Sequence, residues 1–122
     1  MADNKQYITQ VQDNGRVMIS EAVISTIVYQ ALNDIEGYVG LSAKAGSEIV
    51  ELVGKKNWGK GIKVSISEND ELSIDCNVVI SYGHSVVGVA TAIQDAIMNA
   101  LQSMTGVNVV SVNVHVCGIV RQ

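Results

Sequence analysis

The sequence predicts an α/β fold of the α+β type: a two-layer domain in which a mixed β-sheet carries two long helices on one face. Three observations predict it. Residues 62–66 and 72–80 alternate apolar with polar side chains, the period of half-buried strands. Residues 23–35 and 86–104 repeat apolar side chains at helical spacing. The core material is Val, Ile and Ala in a chain without Phe or Pro, 48 % apolar and 16 % charged, and β-branched side chains are stiff at χ1 and favour strands. The 122 residues suit one domain, expected over residues 14–120, with residues 1–13 as a flexible N-terminal arm.

Taken in order, Asn14-Gly15 marks a turn and Arg16 to Ile19 a short strand. Ser20 is placed to cap a helix, with Glu21 beside the positive end of its dipole. Val23, Ile24, Ile27, Val28, Ala31, Leu32 and Ile35 form its apolar stripe, and Gly37 stops it. Tyr38 to Ala43 is expected to be a strand and Ser47 to Val53 a short helical piece. A glycine- and lysine-rich loop follows from Gly54 to Gly61. Ile62, Val64 and Ile66 then share one strand face, and Leu72, Ile74, Cys76, Val78 and Ile80 another, joined by the polar turn Glu68 to Glu71 into a hairpin. Ser85 caps the second helix, striped by Val86, Val89, Ala90, Ile93, Ile97, Ala100, Leu101 and Met104 and ended by Gly106. In the last strand Val110, Val112, Val114 and Val116 share a parity, while Val107 and Val109 fall out of phase, which predicts a bulge near Val109-Val110. The expected order is β-α-β-(short α)-β-β-α-β, with parallel right-handed crossovers around the antiparallel hairpin.

Composition narrows the function. Twelve acidic against eight basic residues, a net charge of −4, repel a phosphate backbone, so no nucleic-acid partner is expected. Residues 1–12 lack a basic segment followed by an apolar one, and no apolar run approaches the ~20 residues that span a bilayer. The expectation is a cytoplasmic protein with no direct membrane insertion, near a membrane only through a partner.

Few residues could carry chemistry. On the sheet face turned from the helices, Asp75, His115 and Cys117 combine a carboxylate, an imidazole and a thiol, types that serve nucleophilic catalysis. A one-sided sheet must also be polar on its outer face, and no nucleophile-elbow motif accompanies them. Two histidines and two scattered cysteines lack the close pairing of a zinc site, so neither metal nor cofactor is expected. Cys76 shares the core parity and should be inert; Cys117 should be accessible, and the two should not pair. Gly54 to Gly61 is not a phosphate-binding Walker loop, because a strand rather than a helix follows it. With Lys63 in the strand just beyond, it makes a local basic patch: Lys55, Lys56, Lys60 and Lys63, half of the eight cations, lie within nine residues around the one tryptophan, Trp58. Those five residues are the candidate docking surface for a protein partner.

The segments Gly15-Arg16-Val17-Met18-Ile19-Ser20, Glu36-Gly37-Tyr38-Val39-Gly40-Leu41, Gly61-Ile62-Lys63-Val64, Tyr82-Gly83, Met104-Thr105-Gly106-Val107 and Val112-Asn113-Val114-His115-Val116 occur in an order that resembles the alkaline shock proteins, the envelope stress response family of Gram-positive bacteria. The resemblance spans about residues 15–118. It implies a small cytoplasmic protein without known enzymatic activity, concerned with cell-envelope homeostasis and in some members held by a small membrane-anchored partner. Some relatives accompany dihydroxyacetone-kinase-like proteins of fatty-acid metabolism. Relatives often carry proline after Tyr-Gly, where this chain uses Ser85. The reading is thus a non-catalytic adaptor or scaffold expected to bind protein partners and to self-associate; its alternative is an accessory subunit or small enzyme using Asp75, His115 and Cys117.

Overall fold

The computed structural model describes residues 7–42 and 61–121. Their elements are strands β1 (Tyr7–Gln12) and β2 (Gly15–Ser20), helix α1 (Glu21–Ala31), strands β3 (Tyr38–Leu41), β4 (Ile62–Ile66) and β5 (Glu71–Ser81), helix α2 (Val86–Thr105) and strand β6 (Asn108–Val120). The expected short helix at 47–53 lies outside the described residues.

Both helices begin where the serine caps predict. Ser20 Oγ accepts the Val23 N–H at 3.3 Å, and Ser85 Oγ accepts the Gly88 N–H at 3.1 Å. Gly106 ends α2 in the left-handed conformation, φ 70°, its N–H donating to the Gln102 carbonyl. Helix α1 is shorter than its stripe: it stops at Ala31, and Ile35 sits in a following turn whose carbonyl accepts the Tyr38 N–H at 3.2 Å. Ile24, Ile27, Val28 and Leu32 are buried, as are Val89, Ile93, Ile97 and Leu101. Three stripe residues are exposed instead: Val23 and Val86, in the first turns, and Met104, in the last turn of α2. Periodicity assigns them a face, but at a helix end that face runs out beyond the packed layer.

The main sheet is mixed, as expected, and β5 is its axis. Along one edge β6 runs parallel to β5 for its whole length; along the other, β4 pairs antiparallel with residues 72–76 and β3 with residues 78–80. Leu72, Ile74, Cys76, Val78 and Ile80 all face the helices and are fully buried. Helix α1 packs over β4, α2 over β6, and the helices touch each other. In the β4–β5 turn Asp70 adopts φ 62°, a conformation Asp tolerates better than most residues. Ser67 Oγ accepts the N–H groups of Asn69 and Glu71 there.

Two expectations are corrected at the N-terminal end. Residues 7–12 are not an arm: they form β1, whose Ile8 is 1 % exposed and enters the core. Nor does the strand at 16–19 join the main sheet. It pairs antiparallel with β1, Ile8 opposite Ile19, as a separate two-stranded sheet. Besides Ile8, two polar bonds hold this hairpin: Gln10 Nε2 donates to the Thr105 carbonyl at 2.8 Å, and the Thr9 N–H to Asp70 Oδ1 at 3.4 Å. The period was unreadable because a hairpin anchored mainly by one buried side chain leaves little apolar alternation.

The predicted bulge in β6 is present. Leu72 pairs with Val109 and Ser73 with Ser111, so Val110 is the extra residue, and it is exposed rather than a member of the valine row. Val107 and Val109 are buried before the bulge and Val112 after it. A second bulge was not foreseen: Val78 pairs with Val116 and Val79 with Gly118, which leaves Cys117 as its extra residue.

Candidate functional site

The sheet face turned from the helices collects the residues that sequence singled out. Asp75 stands at its middle, level with Asn113 on β6 and Lys63 on β4. Its Oδ1 accepts the Asn113 Nδ2 amide at 3.0 Å. Lys63, a candidate docking residue, is therefore a strand residue directly across from a carboxylate, an opposite-charge arrangement worth about 0.2–1 kcal/mol. Lys55, Lys56, Trp58 and Lys60 lie outside the described residues.

One ladder step further, His115 is level with Asn77. Asn77 is the buried polar residue of this face, 3 % exposed. Its backbone closes the edge where β4 and β3 succeed each other: its N–H donates to the Gly61 carbonyl and its own carbonyl accepts the Ser42 N–H, both at 2.9 Å. Gly61 fits there because its φ is 88° and a Cβ would stand 3.0 Å from the Ser42 carbonyl oxygen. His115 itself is exposed.

Cys117 is positioned by its bulge. Its Sγ–H donates to the Val78 carbonyl at 3.3 Å, which spends the thiol proton on the backbone of the neighbouring strand. Asp75 and His115 are two residues apart along the ladder, about 6–7 Å at the rise of a strand. Among the described residues no hydrogen bond joins any two of Asp75, His115 and Cys117, and no group of three or more His, Cys, Asp or Glu is arranged for a metal ion. What the arrangement does is hold β6 in register on β5, through Asn113 to Asp75 and Cys117 to Val78.

Cys76 and Cys117 are both free thiols. Cys76 faces the core, where burial, and secondarily the neighbouring Asp75 charge, pushes its thiol from an ordinary 9.0 up to about 12. That makes it a small hydrophobe rather than a nucleophile.

Other surface features escaped the sequence because they join distant segments. His84 Nε2 stands 3.8 Å from Glu36 Oε2, and the Arg121 guanidinium lies 4.8 Å above the Tyr82 ring. The outer face of the β1–β2 hairpin carries Tyr7, Val11 and Met18, all exposed. Only the β1–β2 register, which the sequence did not reveal, puts these three on one face.

The fold and this face define a small α+β domain whose polar sheet surface is braced by local bonds. Among the described residues no helix is long and apolar enough to cross a membrane. Residues 9–121 match the family model of the alkaline shock proteins, which is described as having a cell envelope-related function. The chain belongs to that family, the one its segments resemble. It is 32 % identical over 121 residues to YqhY of Bacillus subtilis, covering 98 % of this chain and 89 % of that protein. It is 30 % identical over 107 residues to YloU of Bacillus subtilis, covering 86 % and 88 %. It is 32 % identical over 108 residues to Spy1614 of Streptococcus pyogenes, covering 87 % and 88 %. No solved structure matches.

Proposed function

We propose that this protein is a non-catalytic adaptor or scaffold of cell-envelope homeostasis that works on the cytoplasmic side of the membrane by binding proteins. The observation that carries the reading is the use made of its most reactive side chains: Asp75 accepts from Asn113, and Cys117 donates to the Val78 carbonyl. The carboxylate and the thiol that a catalytic dyad would need instead fasten two strands. The cell envelope-related description of the family supplies the setting.

In this reading the docking segment is Lys55 to Lys63. Lys55, Lys56, Lys60 and Lys63 are half of the chain's eight cations, gathered around its one tryptophan in a protein of net charge −4. Lysines steer an acidic partner at long range and an indole supplies apolar contact. The partner that fits is a membrane-anchored protein with an acidic segment at the membrane face.

The test compares wild type with the triple variant Lys55→Glu, Lys56→Glu, Trp58→Ala. Recovery of wild type with the membrane fraction should fall in the variant and weaken as salt rises, while circular dichroism stays unchanged. Unchanged recovery from a folded variant overturns the docking segment. A turnover that disappears in folded Asp75→Ala or His115→Ala protein overturns the non-catalytic reading.

A further inference from the structure

Helix α2 and strand β6 border a groove along one side of the domain. Among the described residues no strand pairs with the outer edge of β6. The Val112 carbonyl accepts Gln94 Nε2 from α2 at 3.0 Å, so it is turned away from β5. The Val120 carbonyl accepts the Tyr82 N–H at 2.7 Å, so it is turned toward β5. In a parallel ladder alternate residues turn both backbone groups to the same side. Val112, Val114 and Val116 therefore present N–H and C=O groups to the groove, and the bulge at Cys117 shifts the alternation by one, as Val120 requires.

The other wall is the flank of α2 that carries Gln94. Val87 and Thr91 lie on the same flank by helical spacing, and both are exposed. Val114 and Val116 share the helix-side parity of Val112 but are only half-buried, whereas Val112 is buried. Charge is almost absent: β6 has no Asp, Glu, Lys or Arg, and Asp95, exposed beside Gln94, is the only such residue on α2. Natural edge strands of this length are normally blunted by charge or proline, and β6 has neither.

We propose that this groove binds an extended segment of a partner protein, which adds to β6 as an antiparallel strand with aliphatic side chains toward α2 and basic residues at its ends. The backbone row selects the conformation, because an extended chain meets donors and acceptors that recur at every second residue. The half-buried Val114 and Val116, with the exposed Val87 on the helix side, select aliphatic side chains at alternate positions, whose burial completes that layer. Asp95 and the net charge of −4 select cations to flank them.

A second copy of the chain does not fit this edge. Paired strands lie about 4.8 Å apart. Since α2 packs over β6, a copy joined edge to edge would bring its own α2 to about that distance, where packed helices need about 8–10 Å. A single strand with no helix above it avoids the clash. The groove is also separate from the docking segment proposed above: Lys63 lies on β4, at the opposite edge of β5. Strand addition therefore goes beyond that reading and does not rest on it.

The test adds a synthetic peptide, acetyl-Lys-Val-Thr-Val-Thr-Val-Lys-amide, to the full chain and reads amide hydrogen exchange by NMR. In the chain alone the Val114 and Val116 amides should exchange freely, while those of Asn113 and His115, turned into the β5 ladder, are protected. Peptide should slow Val114 and Val116 with a dissociation constant below about 1 mM. Antiparallel addition turns the peptide's valine N–H groups toward β6 and its threonine N–H groups away. N-methylation of the central valine should therefore weaken binding about tenfold, and N-methylation of the threonine before it should not. Glutamate in place of both lysines should also weaken it. The proposal is overturned if up to about 1 mM peptide leaves Val114 and Val116 exchange unchanged, if the two N-methylated peptides bind alike, or if the glutamate peptide binds as tightly. It is equally overturned if both amides are already protected in the chain alone, since the chain itself or a second copy would then cover the edge.

Discussion

Gly37 lies against Val89: a Cβ built on the glycine would stand 2.8 Å from Val89 Cγ2 and 3.0 Å from the His84 ring. The contact joins the turn after α1 to the first turns of α2, and Gly37 holds φ 91° there. Its N-terminal neighbour Glu36 reaches His84 across the same junction. Gly37→Ala should therefore suffer twice, from the left-handed backbone, about 1–2 kcal/mol, and from overpacking a buried valine, about 1–3 kcal/mol. Gly83 is the internal control: it also has positive φ, 102°, but open space around a Cβ. Urea denaturation should show Gly37→Ala losing clearly more stability than Gly83→Ala; equal losses would mean that the packing contact contributes nothing.

The N-terminal strand should behave as part of the fold. Ile8 is 1 % exposed, and truncating a buried isoleucine costs about 2–5 kcal/mol. Ile8→Ala is expected to lower the denaturation midpoint by that order. Gln10→Ala, which deletes one bond to the Thr105 carbonyl, should cost about 0.5–1.5 kcal/mol. A midpoint unmoved by Ile8→Ala would return residues 7–12 to the status of an arm.

The helix layer gives a sharper contrast. Ile93 and Ile97 are fully buried while Gln102, on the same helix, is exposed. Each isoleucine changed to Ala should cost about 2–5 kcal/mol through the cavity it leaves, whereas Gln102→Ala should stay within about 0.5 kcal/mol of wild type. Similar effects at all three positions would show that α2 is not seated on the sheet by this face.

Alkaline pH should destabilise the protein through two acids, the buried Cys76 thiol and the half-buried Tyr38 phenol. Burial raises the Cys76 thiol from 9.0 to about 12 and, with help from Tyr29, the Tyr38 phenol from 10.0 to about 12. Above pH ~9 the unfolded chain releases these protons and the folded chain keeps them, so the unfolded state binds fewer protons and stability falls as pH rises. The contribution is fully present below pH ~9 for Cys76 and below pH ~10 for Tyr38 and is lost toward pH ~12, with a slope of up to about 1.4 kcal/mol per pH unit for the buried Cys76 and less for the half-buried, solvent-screened Tyr38. Cys76→Val removes one of them, so denaturant midpoints compared at pH 8 and pH 10 should fall less in the variant; parallel declines would assign the alkaline loss elsewhere. The same burial predicts that a thiol reagent labels Cys117 far faster than Cys76 in the folded protein.

What the sequence determined by itself is whatever depends on neighbours in the chain. The alternation through Ile62, Val64 and Ile66 and from Leu72 to Ile80 settled β4 and β5, and which of their faces is buried. Ser20, Ser85 and Gly106 marked helix ends, because a cap is a bond to a residue three or four positions away. The phase slip at Val109 and Val110 announced the first bulge for the same reason. On the candidate site, the parity of Asp75, His115 and Cys117 put them on the sheet's outer face, but parity is silent about who bonds to whom. Only the tertiary structure decided that β2 pairs with β1 rather than joining the main sheet, that β3 and β4 share one edge of β5, and that Cys117 is a bulge residue whose thiol goes to Val78. Each of these is a pairing between segments far apart in the chain, chosen by the burial of side chains such as Ile8 and by the competition of whole strands for the two edges of β5. Local periodicity carries no information about that choice, since any of these strands presents the same backbone donors and acceptors to any partner.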